Sequence, residues 1–309
     1  MRFVILVMAV VLSVLSAIPA EEKSQVVSAD GEDKFLVAVA ETKKLVDAGQ
    51  TKAAEQAFEA LKNDFPEIAG PDLDLFIKAE IYYCKGHFTK AVRNYNKLLT
   101  EHPKSRFSEA ALDRQFAIGM AYLGGKKKIL LGIFKIRGYA EGVRIMEKIT
   151  DRVGIDTQLG IKASVAVAES YEKREKYNEA YLKWWEISLE WETGRVGADA
   201  LLGMARCKYA VYNKHPEHKR PFYDASCLIN AKSYYGRFKL LYPKDAKEIG
   251  VDEILSEIDE QLAYKQLSIA RYYQATGNMQ SANLYYDMVV SDWPDSKAAK
   301  EAKEMLVKK

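Results

Sequence analysis

Two histidines, His215 and His218, stand three positions apart in this 309-residue chain. That spacing can ligate a metal when a third donor joins them. They sit in the run Asn213-Lys-His-Pro-Glu-His-Lys-Arg-Pro221, with no cysteine nearby in sequence. A solvated loop is therefore expected there, not a metal site. His87 and His102 are isolated from any nucleophile-and-base arrangement. Gly124-Gly125-Lys126-Lys127-Lys128 is rich in the residues of a phosphate cradle, but it lacks the G-x-x-x-x-G-K-[ST] spacing and a preceding strand. Paired carboxylates occur only at the spacing of a solvated helix face. These residues predict no catalytic group, no cofactor and no metal, and so a protein that is not an enzyme.

Cys84, Cys207 and Cys227 are too few for a disulfide scaffold. Cys84 and Cys207 fall at helical packing positions and read as small buried hydrophobes. A Cys207–Cys227 bridge is the alternative. The formal net charge is +3, which gives no basic stripe for nucleic acid.

The elements that position these residues repeat. Ala79-x-x-Tyr82-Tyr83-Cys84-Lys85-Gly86 runs on through Ala91, Tyr95 and Leu98 to Pro103. Near the C-terminus, Ala270-x-x-Tyr273 runs through Gly277, Ala282, Tyr286 and Val289 to Pro294. The distance from small residue to proline is 24 positions both times. A weaker copy holds Ala168, Tyr171, Tyr177, Ala180, Trp184 and Ile187, with Glu175 in the place of the glycine and Glu192 in that of the proline. Ala54, Ala91, Gly142, Ala180, Ala231 and Ala282 are equivalent, with steps of 37, 51, 38, 51 and 51 residues. A tetratricopeptide unit has a period of about 34 residues, so the long steps carry insertions.

Each repeated residue type has a physical reason. Small residues let two helices cross at about 8–10 Å. Glycine closes the first helix in the left-handed conformation. The aromatic fills the gap toward the next unit, and proline stops the second helix. The packing set is Ala79, Gly86, Ala91, Tyr95, Ala168, Ala180, Ala270, Gly277, Ala282 and Tyr286. The fold class that follows is all-α: a right-handed α-solenoid of about six tetratricopeptide-like hairpins. In the tyrosine pairs and in Trp184-Trp185, one member fits the packing position. The other must point to a groove or to solvent.

The first twenty residues are read apart from this fold. Arg2, the apolar run Phe3–Leu15 and the small residues up to Ala20 describe a secretory signal peptide. Cleavage is expected between Ala20 and Glu21. Residues 21–33 read as a flexible leader and 34–309 as the repeat array. The protein is thus expected to be exported and periplasmic. The segment Gly124–Gly138 combines Lys126, Lys127 and Lys128 with an apolar run that includes Leu131 and Phe134. It either folds back on the array or contacts a partner protein or anionic lipid.

The C-terminal stretch Ala270-Arg-Tyr-Tyr-x-x-x-Gly277-x-x-x-x-Ala282-x-x-x-Tyr286-x-x-Val289-x-x-x-Trp293-Pro-Asp-Ser296 resembles the BamD (YfiO/ComL) family of outer-membrane β-barrel assembly factors. The resemblance covers residues 35–305 and is specific over the last 45. It implies protein partners: either the barrel-assembly machinery or unfolded barrel proteins, with peripheral contact at the outer membrane. That family is usually lipid-anchored through a cysteine after the signal peptide, and Ala17–Asp30 contains none. The alternative of the same class is a periplasmic scaffold in envelope or division coordination, though no sustained heptads appear. An enzyme accessory domain or a hydrolase is the rival of another class, and no clustered His, Cys or Ser supports it.

Overall fold

The computed structural model describes residues 29–130 and 134–307. Among these residues the chain forms fourteen α-helices, one 3-10 helix and one two-stranded ribbon. The array divides into two compact units at Ser108/Glu109. Ala20, Glu21 and Leu131, singled out above, lie outside the described residues.

The first unit holds two hairpins. One is α1 (Ala29–Asp47) with α2 (Thr51–Asp64), and the other is α3 (Pro71–Cys84) with α4 (Phe88–Glu101). The first turn of α1 thus lies inside the stretch 21–33. The second unit opens with α5 (Ser108–Leu123) and α6 (Tyr139–Val153). Hairpins α7 (Gln158–Lys173) with α8 (Tyr177–Glu190) and α9 (Gly194–Asn213) with α10 (Ser226–Leu241) follow. A short α11 (Pro243–Ile249) leads to the hairpin of α12 (Val251–Ala275) with α13 (Met279–Asp292), and α14 (Lys297–Val307) packs on both helices of that hairpin.

One backbone motif closes the first helix of five of the six hairpins. Gly86 donates to the carbonyl of Tyr83, and His87 donates to that of Tyr82. The same pair of bonds recurs at Gly49–Gln50, Gly125–Lys126, Glu175–Lys176 and Gly277–Asn278. This is a Schellman closure, which needs a left-handed residue at its centre. Glycine supplies it four times. Glu175 supplies it once, at φ +56°, as the non-glycine residue with positive φ among the described residues.

Five of the six second helices share one exit, α6 ending instead at Gly154 with φ +87°. Phe65, His102, Trp191, Tyr242 and Trp293 each follow a second helix, with φ between −118° and −135° and ψ between 60° and 78°. Each donates its N–H to the carbonyl four residues back. Proline follows four of the five and bars its predecessor from the helical region. Trp191 takes the same shape before Glu192.

The small residues sit where the helices cross. Ala54, Ala79, Ala91, Ala168, Ala180, Ala205, Ala231, Ala270 and Ala282 are fully buried. In the α5–α6 pair both positions are glycine. A Cβ on Gly119 would stand 2.8 Å from Met146 Cε, and one on Gly142 would stand 2.9 Å from the Leu123 backbone N. Four residues beyond each second-helix anchor lies the large filler: Phe58, Tyr95, Met146, Trp184, Tyr235 or Tyr286.

Two segments differ from their sequence reading. The insertion at 124–138 contains an antiparallel ribbon, β1 (Lys127–Leu130) and β2 (Phe134–Arg137), inside an otherwise helical chain. No strand-length run is evident in the sequence because each strand has only four residues. The segment expected as a solvated loop around His215 is instead tied down. It carries a 3-10 helix, Glu217–Phe222. Tyr212 Oη donates to the Arg220 carbonyl at 2.9 Å. Arg220 donates to the carbonyls of His215 and Asn213, and Lys265 to those of Pro221 and Tyr223.

Candidate interaction surfaces

Among the aromatic pairs Trp184-Trp185 divides between interior and surface, whereas Tyr82, Tyr83, Tyr234, Tyr273 and Tyr285 are half-buried. Trp184 is 2% exposed and Trp185 is 47% exposed. Tyr235 and Tyr286 are buried, whereas Tyr272 is 64% exposed. Buried members of the set find polar partners on the first helix of their own hairpin. Tyr95 Oη donates to Glu80 Oε1 at 2.5 Å, and Tyr286 Oη to Gln274 Oε1 at 2.6 Å. The Trp184 indole N–H donates to Glu172. Such pairing offsets the cost of taking a hydroxyl or indole N–H out of water.

Glu172 also receives a two-pronged contact from Arg206 of the next hairpin, at 2.9 and 3.0 Å. Burial works against the Arg206 charge, but the Glu172 hydrogen bonds outweigh it and raise its pKa. Beside this pair, burial and then the Glu172 charge push the Cys207 thiol up to about 12. Cys84, Cys207 and Cys227 are all free thiols. The geometry therefore gives Cys207 the character of a packed hydrophobe, not of a nucleophile.

The ribbon presents its cations unequally. Lys127 faces Arg137 across the strands, and Lys128 faces Ile136. Lys126, Lys127 and Arg137 are exposed. Lys128 turns inward and pairs with Glu141 at 2.8 Å, and Arg144 pairs with the same carboxylate. Burial favours the neutral Glu141, but the hydrogen bonds from Arg144 and Lys128 hold its carboxyl below the usual range. Phe134 opens β2.

Two of the concavities within the second unit bear on the residues above. One, of about 550 Å³, is walled by Glu217 and His218 of the 3-10 helix and by Glu257, Gln261 and Tyr264 of α12. His215 does not join it and stacks on Tyr223 at 3.6 Å. The other, of about 340 Å³, lies between α8 and α10 with α9 as its floor. Among the described residues no three His, Cys, Asp or Glu side chains converge as a metal would need. None of the described helices is long and apolar enough to cross a membrane.

The residues that carry the C-terminal resemblance perform structural tasks here. The Trp293 indole N–H donates to Asp259 at 3.2 Å. Ser296 Oγ accepts from Ala299 N at 2.9 Å and so caps α14. Glu260 accepts from the Lys297 and Ala298 backbone N–H groups at the same helix end. An aromatic ring stands at five of the six second-helix exits, at Phe65, His102, Trp191, Tyr242 and Trp293.

No protein-family model matches the chain, and no curated protein matches it. Solved structures of repeat proteins do. The C-terminal part of a TPR repeat-containing protein from Cytophaga hutchinsonii is 15% identical, with TM-score 0.39, over 89% of this chain and 93% of that one. PilW, a type IV pilus biogenesis factor, is 16% identical, with TM-score 0.31, over 86% and 97%. A tetratricopeptide repeat protein from Parabacteroides merdae is 15% identical, with TM-score 0.37, over 87% and 97%. The hairpins, their shared closures and their buried alanines define this chain as a protein of tetratricopeptide-repeat architecture. Such architecture serves protein–protein interaction.

Proposed function

We propose that this protein is a non-enzymatic adaptor of the cell envelope, an accessory in assembling β-barrel proteins into the outer membrane. The observation that carries the adaptor reading is the exposure of one member in two of the aromatic pairs. Trp184 fills the packing position of its hairpin and Trp185 stays on the surface, and Tyr272 is exposed beside the half-buried Tyr273. Exposed aromatics on rigid helices are the residues that most often dominate binding energy. Export is supported by the signal-like residues up to Ala20. The barrel-assembly role is supported by the resemblance over Ala270–Ser296. The exposed Lys126 and Lys127 favour an anionic partner or lipid surface beside the ribbon.

Chemical cross-linking in intact cells followed by purification tests the reading. Recovery of the barrel-assembly channel protein is the expected result. Recovery of peptidoglycan-associated proteins instead would move the protein to the scaffold alternative. Recovery of cytoplasmic proteins alone would overturn the envelope assignment.

A further inference from the structure

We propose that the groove between α8 and α10 binds a short partner segment carrying two large apolar side chains on either side of a carboxylate. This rests on the adaptor reading and names the site and the chemistry of its ligand. The floor is Leu201 and Met204 of α9, and the walls are Trp185 and Leu189 of α8 and Leu241 of α10. The three wall residues are between 47% and 59% exposed. Trp185 and Leu189 stand four apart on one helix face, so they form a continuous apolar wall. The repeat does not need them, because Ala180, Trp184 and Ile187 already make the packed face of α8.

Charge decides the occupant. Arg237 lines the groove beside these apolar residues, and among the described residues no ion pair or hydrogen bond engages it. Its neighbours on α10 are used differently, for Lys232 pairs with Asp259 and Lys239 with Asp252. An uncommitted guanidinium beside an apolar slot selects a carboxylate that arrives with apolar flanks. Glu192 also lines the groove and disfavours a second acidic group beside it.

Size decides the form. The groove follows α8 from Trp185 to Leu189 for about 6 Å and runs past the helix end to Glu192. A stable association of two copies needs roughly 1,200–2,000 Å² of buried surface, which a slot of this length does not supply. About 340 Å³ accepts a few inserted side chains, whereas a whole helix is about 10–12 Å across.

The test uses the full chain and two fluorescent nonapeptides, Gly-Ser-Leu-Ser-Asp-Ser-Phe-Ser-Gly and its counterpart with Lys in place of Asp, read by anisotropy. The natural protein should bind the acidic peptide about tenfold more tightly than the basic one. Arg237→Glu should reverse that preference. Trp185→Ser with Leu189→Ser should lose both peptides while the melting temperature holds, since both side chains are exposed. Equal binding of the two peptides, binding of neither, or a preference unchanged by Arg237→Glu would overturn the proposal. So would a concentration-dependent dimer abolished by the double serine variant, which would assign the face to a second copy. The adaptor reading fails separately. Cross-linking that recovers the same partner with Arg237→Glu as without it sinks the groove alone, and cross-linking that recovers none sinks the adaptor.

Discussion

A Cβ placed on Gly203 would stand 2.5 Å from the indole of Trp184. The α9 backbone therefore lies directly against the largest side chain buried in the second unit. The indole Nε1, one of the atoms nearest Gly203, is itself held by its hydrogen bond to Glu172, so the ring has no room to retreat. Gly203→Ala is expected to destabilise the protein by about 1–3 kcal/mol through overpacking. Combining it with Trp184→Leu should cost less than the sum of the two single changes, because the residues are in contact. Denaturant titration of the four proteins measures both quantities.

Glu175 makes the opposite case. It holds φ +56° at a position where the other four equivalent residues are glycine, and a left-handed residue with a Cβ costs roughly 1–2 kcal/mol. Glu175→Gly relieves that strain and gives back part of the gain as chain entropy. A net stabilisation of about 0.5–1 kcal/mol is expected. Gly86→Ala and Gly277→Ala should each lose about 1 kcal/mol. Urea midpoints at constant slope read all three.

These two positions show what the sequence makes legible. Small residues at crossings and a left-handed residue at five of the six first-helix ends are local requirements, so they recur at fixed offsets and announce the hairpin. Even Glu175 is visible as the odd member of that series. The ribbon is not legible in this way. Its strands are too short for a period to emerge, and its anchor is the pairing of Lys128 with the buried carboxylate of Glu141 on the following helix, which no local pattern marks. The segment around His215 fails for the same reason. Its order comes from Arg220 and Lys265 satisfying backbone carbonyls, and Lys265 lies more than forty positions along the chain. The α8–α10 groove is half legible. Trp185 is marked as the unneeded member of its pair, but nothing local brings Arg237 beside it.

Glu141 gives the protein a specific acid sensitivity. Its folded pKa lies below the ordinary 4.5, so its ionised form is favoured by folding. The stability it contributes is fully present above 4.5 and is lost as pH falls through the lower folded value. Glu141→Gln removes this dependence and strands Lys128 and Arg144. At neutral pH the variant should be less stable by about 1–3 kcal/mol. On acidification below 4.5 it should lose less further stability than the natural protein. Thermal melts from pH 7 to pH 3 compare the two slopes, and parallel curves would contradict the assignment.

The helix crossings allow a test of how the array holds together. Ala91 in the first unit and Ala282 in the second are both fully buried. Tryptophan at either must push its two helices apart, at a cost of roughly 1–3 kcal/mol. In an array where each hairpin packs on its neighbours, that cost stays local. Ala91→Trp should speed amide exchange in α3 and α4 and leave α12 and α13 protected. Ala282→Trp should do the reverse, with α14 loosening alongside α13, because Ala298, Ala299 and Ala302 pack in the same cluster as Ala282. Hydrogen exchange read by mass spectrometry resolves the helices separately. Loss of protection spread evenly through both units in either variant would show one cooperative body, and the hairpin-by-hairpin account of stability would fall with it.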